Sequence, residues 1–435
     1  MRICFIYPSY IRHAQANPEL KDIVSSGSYL GSPTMSIAIL AALTPEHHEV
    51  SFYDDRLEAL PFDEPFDLVA MPVFTPAAKR AMAIADQFRA RGAKVVVGGI
   101  FSTLMPDEMA PHVDAICLGE GEPVWSEILY DAERGQLRPR YEAREPYDLS
   151  RLPVPRYDLY FAKEGPGGYR SAGKQGELTV DYALQLSRGC PLRCMSCAIP
   201  EYMGRSMRFV QPSWFAKNFD AISEGGKKRY ISLTEDTSSF PTAKVYGHYI
   251  EAMSAVVGAG PSVAYTGASP VQVTKAAPGY FEFLRKLNAI SIYMVFGFDR
   301  MSMKAFEAKP DAASYQACLD AVKRVFDEGL GVYASLLVGH DAENEGVFDQ
   351  VLEFAEKAKI NTAEFVTLTP YPGTPLWRQL LAEDRLITRD WSLFNDANPT
   401  YRPKNYTAER LREGYIYLWK QFYREGGRAR HAIQV

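Results

Sequence analysis

Short apolar runs alternate with stretches of helical periodicity along most of this chain, which restricts the fold to the α/β class. In the first 137 residues the runs are Arg2–Tyr7, Val50–Tyr53, Leu68–Met71, Lys94–Val97 and Ala115–Leu118. Thr34–Leu43 and Pro76–Arg91 carry helical patterns between them. Strands separated by helices imply a parallel, doubly wound sheet that binds ligands at the carboxyl ends of its strands. Turn residues gather at those ends: Asp54-Asp55, Pro72 through Pro76, Gly98-Gly99 and Gly119-Glu120-Gly121-Glu122.

A second series begins at Asp181. Its runs are Tyr182–Leu186, Tyr230–Thr234, Ser262–Gly267, Ser291–Phe298, Gly331–Val338 and Ala363–Thr369. Helical patterns at Pro212–Glu224, Thr242–Val257, Gly279–Leu287, Ser314–Glu328 and Gly346–Lys359 separate them, with Pro212 and Pro241 as helix entries. This repeat predicts a partial parallel (β/α)6 barrel with its chemistry on the carboxyl-end rim. The chain therefore divides into a Rossmann-like domain (1–137), a linker rich in Pro, Tyr and Arg (138–181), a partial barrel (182–385) and a helical extension (386–435). The last helical pattern, Thr407–Arg424, is mostly core-facing.

Of six cysteines, three stand in Cys190-Pro191-Leu192-Arg193-Cys194-Met195-Ser196-Cys197. Three thiolates on one short loop suit a soft metal centre. They can ligate three irons of a 4Fe–4S cluster and leave the fourth iron open to a ligand from outside the protein. Zinc is the rival, but it wants a fourth Cys or His nearby, and the next histidine is His248. A thioredoxin-like pair of Cys194 and Cys197 leaves Cys190 without a role. The motif follows the first run of the second series, which places it on the barrel rim. Cys4 and Cys117 sit inside apolar runs and read as buried thiols; Cys318 stands apart from both.

The formal net charge of -5 argues against a nucleic-acid surface. No apolar run reaches the roughly 18 residues of a membrane span. The opening MRICFIYPSY lacks the h-region of a secretory signal. A cytoplasmic setting is expected, and it suits an oxygen-sensitive cluster.

The spacing Cys-x3-Cys-x2-Cys after the first barrel strand resembles the radical S-adenosylmethionine (SAM) superfamily. VVVGGIFSTLMPDEM followed by DAICLGEGEPVW resembles the cobalamin-binding domain attached to many of its members. TPYPGTPLW, DWSLFN and TYRPKN resemble the ends of the same proteins. The resemblance implies a 4Fe–4S cluster on Cys190, Cys194 and Cys197, with SAM's amino and carboxylate groups on the open iron. It implies SAM contacts from Ser196, Glu235, Asp236, Ser269, Asp299 and Gly339 at successive strand ends. It implies cobalamin contacts from Val73, Phe74, Thr75, Gly98, Gly99, Ser102, Gly119, Glu120, Gly121 and Glu122.

Three departures stand out. The family's Asp-x-His-x-x-Gly is absent, so the loop Val73, Phe74, Thr75 would meet cobalt's lower face without a histidine. Ser196 replaces the usual aromatic residue, and Asp299 replaces a Glu. The activity implied is that of a cobalamin-dependent radical SAM C-methyltransferase, with a small-molecule substrate and an electron donor such as flavodoxin or ferredoxin. A cyclase or rearranging enzyme, for example on a tetrapyrrole, is the alternative. A carrier with a relic cluster site is disfavoured by the intact triad. Methylthio-transfer to tRNA is disfavoured because no second cysteine trio or basic tail is present.

Overall fold

Residues Ile3 through Tyr7 are buried without a break, so a strand there needs neighbours at both edges and cover on both faces. In a computed structural model of the chain it has them. β1 (Arg2–Tyr7) lies between β2 (Glu49–Asp54) and β3 (Leu68–Pro72), parallel to both. β4 (Lys94–Gly98), β5 (Ala115–Leu118) and β6 (Arg140–Glu142) extend the sheet in the order β2-β1-β3-β4-β5-β6, again all parallel. Side chains alternate between the faces. Ile3 and Phe5 point into the cluster holding Ile37 and Trp125, whereas Cys4 and Ile6 point toward Ala81, Ile84 and Phe88. Helices Met35–Leu43 and Trp125–Glu133 thus cover one face and helix Ala78–Ala90 the other. The order reverses between β1 and β3, where a sheet of this kind opens a crevice for ligands.

The structure describes residues 1–11, 16–23, 29–30, 32–165, 168–172, 178–179, 181–222, 229–237, 243–254 and 262–424. Its second sheet runs β7 (Asp181–Leu184), β8 (Tyr230–Leu233), β9 (Ser262–Ala268), β10 (Ser291–Phe296), β11 (Gly331–Val338) and β12 (Thr362–Thr367). The strands pair in that order, all parallel, and among the described residues β7 and β12 do not close on each other. This is a partial barrel of six strands, as expected. Helices Pro212–Ile222, Ala243–Met253, Tyr280–Lys286, Ala312–Asp327 and Val347–Lys357 lie between successive strands within a few residues of the expected bounds. The expected entry at Pro241-Thr242 lies outside the described residues. Two short helices, Pro270–Thr274 and Arg300–Ala305, are additional.

The segment after residue 137 gives β6 to the first sheet and then packs its tyrosines between the domains. Tyr160 donates its hydroxyl to Thr34 O at 2.7 Å, and Tyr169 donates to Asp54 Oδ2 at 2.9 Å. Buried Glu164 accepts from Tyr182 Oη at 2.5 Å and from Arg229 Nε at 2.6 Å. The chain then returns from the barrel to the first domain. Lys79 pairs with Asp390 at 2.9 Å, Asn395 donates to Ile11 O at 3.1 Å, and Asn17 donates to Ala397 O at 3.3 Å. Trp391 packs edge-on against Phe101. Helix Ala408–Arg424 closes the barrel flank, with Tyr415, Leu418, Trp419, Phe422 and Tyr423 buried and Tyr417 facing out. Among the described residues no helix is long and apolar enough to cross a membrane.

Candidate functional site

The cysteine loop grows from a two-rung hairpin. Ser187–Arg188 pairs antiparallel with Arg208–Phe209, and residues 189–207 form the loop between them. Cys190 N donates to Gly204 O at 3.1 Å, and Met195 O accepts from Leu376 N at 3.0 Å, which ties the loop to the far end of the barrel. Cys190 is buried, Cys194 and Cys197 are half-buried, and all three thiols are free. Burial pushes each thiol up, Cys197 to about 11, and each of Cys194 and Cys197 is raised further by its fellow cysteines. Deprotonation of one of them thus disfavours deprotonation of the others. A cationic centre reverses that penalty by holding the thiols deprotonated. The donor set fits a cluster with three protein ligands. Cys4, Cys117 and Cys318 are buried elsewhere, each raised to about 12 by burial.

Hydrogen bonds engage the strand ends around this loop, although Ser269 Oγ is buried without a partner. Glu235 accepts from Leu186 N at 3.1 Å and Ser187 Oγ at 2.8 Å, and burial raises it to about 8. Its neighbour Asp236 turns to the cysteine loop and accepts from Gly189 N at 2.7 Å. Burial raises Asp236 as well, against the pull of that N–H. Ser269 starts helix Pro270–Thr274 and donates its N–H to Gln272 Oε1 at 2.7 Å. Asp299 caps Arg300–Ala305, accepting from Met301 N at 2.8 Å and Ser302 N at 3.1 Å. Ser196 is buried within the loop itself.

Gly339 donates to Glu343 Oε2 at 2.7 Å and accepts from Tyr401 Oη. Sequence reasoning missed His340, whose Nε2 donates to Gly297 O at 2.7 Å while burial lowers its pKa. Glu343 is raised to about 8 by burial, so it is protonated in the folded chain where an unfolded glutamate is ionised. Stability from this group falls as pH rises from about 4.5 to about 8, by up to about 1.4 kcal/mol per unit. Glu343→Gln, neutral in both states, is expected to flatten that part of the curve in chemical denaturation at pH 6, 7 and 8.

A cavity of about 380 Å³ opens at the carboxyl edge of the first sheet and reaches the cysteine side of the barrel. Val73, Phe74, Gly98, Gly99, Gly119, Glu120, Gly121 and Glu122 line it, with Leu40 and Trp125 behind them. Ala183, Gln185, Arg188, Tyr202, Thr234 and Asp236 line the barrel side. Thr75 and Ser102 lie buried outside the lining. No histidine is among the described lining residues. Gly99 has φ +87°, and a Cβ there would lie 2.9 Å from Val73 N, so the two strand ends meet backbone to backbone. Ser102 Oγ is buried without a hydrogen-bond partner. An apolar wall and a glycine strip fit a large, mostly apolar ligand. His47, His48 and Glu133 gather ligand atoms within 4.8 Å of one another where the chain enters β2, at the opposite end of the strands.

Buried charges join the two walls. Arg188 donates to Glu120 Oε1 at 2.6 Å and to Glu122 Oε1 at 2.7 Å. Arg208 donates to Glu120 Oε2 at 3.0 Å. Neither arginine was singled out in the sequence. The signal available was a strand-end arginine two residues before the first cysteine.

No family model matches the chain. Over 425 residues it is 26% identical to bacteriochlorophyllide d C-12(1)-methyltransferase of Chlorobaculum tepidum, covering 94% of this chain and 86% of that protein. It is 23% identical over 447 residues to the anaerobic magnesium-protoporphyrin IX monomethyl ester cyclase of Cereibacter sphaeroides, covering 97% and 70%. Among solved structures, the radical SAM methyltransferase TsrM of Kitasatospora setae superposes with a TM-score of 0.63 at 14% identity, covering 88% of this chain and 76% of that one. Over most of its length the chain is thus similar to methyltransferases and, in fold, to a radical SAM methyltransferase. In this enzyme the glycine strip of the first sheet and Ile199, Tyr202 and Met203 of the cysteine loop face one cavity, while Cys190, Cys194 and Cys197 lie outside its lining. A second TsrM structure, at TM-score 0.58, holds cobalamin and a 4Fe–4S cluster.

Proposed function

We propose that this chain is a cobalamin-dependent C-methyltransferase that acts on an unactivated carbon of a small molecule. The observation that carries the reading is the shared cavity, with Gly98 and Gly99 on one wall and Asp236 and Arg188 on the other. Cys190, Cys194 and Cys197 would hold the cluster, Asp236 and the neighbouring strand ends would hold SAM, and the 73–75 and 98–102 segments would hold cobalamin. Together these groups supply reductive cleavage of SAM, hydrogen abstraction from carbon and methyl delivery.

The protein's own residues set the conditions for that chemistry. Asp236 fixes Gly189 N–H and with it the start of the cysteine loop. Glu235 keeps its proton at neutral pH and accepts two hydrogen bonds, so it adds no free charge beside the loop. Phe74, Leu40 and Trp125 exclude water from the cavity, which prolongs the life of reactive species there. At the loop tip Leu192 is 39% and Met195 47% exposed, which leaves an uncovered apolar knob for an electron donor such as flavodoxin or ferredoxin.

Anaerobically reconstituted protein is expected to retain hydroxocobalamin through desalting, seen by its visible spectrum. Given methyl-labelled SAM and a competent substrate, it is expected to place label in the product. Deoxyadenosine with no label in the product would instead favour cyclisation or rearrangement, the activity class of the cyclase relative.

A further inference from the structure

We propose that Glu120, Glu122, Arg188 and Arg208 form a positioning lock that sets where the cysteine loop sits against the first sheet. The inference rests on the reading of the shared cavity above. Arg188 and Arg208 are direct cross-strand partners in the hairpin that carries the loop. Like charges so placed repel. Glu120 resolves the conflict by bridging both: Arg188 at 2.6 Å on Oε1 and Arg208 at 3.0 Å on Oε2. Glu122 takes the other arm of Arg188 at 2.7 Å, and Tyr147 N closes on Glu120 Oε2 at 2.9 Å. The two carboxylates stand two positions apart in the turn that follows β5.

Arg188, Glu120 and Glu122 each keep only 6–7% of their side-chain surface exposed. Burying such a network costs desolvation that a plain apolar contact avoids, so its value lies in geometry rather than stability. The geometry is specific: a guanidinium fork fixes two oxygens in one plane, which an ammonium cannot do. The lock ends two residues before Cys190, and Gly189 between them is held by Asp236. A shift of the 119–122 turn therefore moves Cys190.

The test uses full-length protein reconstituted anaerobically with iron, sulfide and hydroxocobalamin, comparing wild type with Arg188→Lys and Glu122→Gln. Both variants are expected to keep wild-type iron content, while amide exchange rises together in 119–122 and 187–190. With methyl-labelled SAM and a low-potential chemical reductant, which supplies the electron for SAM cleavage and reduces the bound cobalamin to the Co(I) state that accepts a methyl, deoxyadenosine released per methyl passed to bound cobalamin is expected to rise at least about tenfold, because sub-ångström misplacement is felt in group transfer. A merely structural role would lower both products in proportion. Exchange confined to 119–122, or an unchanged product ratio, overturns the lock. If Arg188→Lys does not fold, Glu122→Gln, which keeps the side chain's shape, carries the test. Loss of hydroxocobalamin from wild type would overturn the methyltransferase reading, and the exchange data would still decide the lock.

Discussion

Replacing Cys194 by alanine is expected to give a folded protein that holds no 4Fe–4S cluster and releases no deoxyadenosine from SAM. The side chain is half-buried on a loop that is held by backbone bonds at Cys190 N and Met195 O rather than by its sulfur. Truncation therefore spares the scaffold and removes one of the three proposed ligands. Two thiolates on one loop leave a four-iron centre without a third protein anchor, and such centres are held through their cysteines. Iron analysis, visible absorbance and mass spectrometry of SAM products read the loss directly. Cys318→Ala is the matched control. That thiol is buried on the inner face of helix Ala312–Asp327, so the change costs about 1 kcal/mol of stability and leaves iron untouched. Equal loss of iron in both variants would refute the assignment of the triad, and zinc in place of iron would favour the rival metal.

Gly189→Ala is expected to lower stability by about 2–4 kcal/mol and to impair cluster assembly. Gly189 has φ +88°, a conformation that costs an L-residue about 1–2 kcal/mol. An added Cβ would also collide with the backbone oxygen of Ser206 across the hairpin, and backbone cannot swing aside as a side chain can. Relief means opening the Ser187–Arg188 ladder, which carries the Gly189 N–H away from Asp236. Gly92→Ala separates the two contributions. Its φ of +92° is as unfavourable, yet its Cβ would meet nothing within 4 Å. Thermal unfolding should therefore show a small drop at Gly92 and a larger one at Gly189, with iron lost only at Gly189.

Much of this architecture is legible in the residues because buried parallel strands must be continuous apolar runs. Ile3–Tyr7 and Val332–Val338 are buried along their length and cannot be mistaken for amphipathic helix. β6 escaped because Arg-Tyr-Glu is a three-residue edge strand with only Tyr141 buried, too short to show a period. Helices Pro270–Thr274 and Arg300–Ala305 are likewise shorter than two turns, although the caps Ser269 and Asp299 were available as signals. Those two residues drew attention as SAM contacts, and each also closes the turn after its strand. The cysteine triad stands out because its three residues lie within eight positions. The pairing of Arg188 with Glu120 and Glu122 does not, since it joins positions 68 and 66 residues apart. A buried arginine demands carboxylates, but nothing along the chain says which.

The return of the chain to its first domain has a consequence for how the protein is filled. Lys79 with Asp390, Asn395 with Ile11 O, Asn17 with Ala397 O and Trp391 against Phe101 buckle the two domains together on that side. A ligand as bulky as a corrinoid would then have to enter sideways through the mouth of the cavity, as a drawer slides into a cabinet. Loading speed would be set by the width of that mouth, and the strap would keep the cabinet square whether the drawer is in or out.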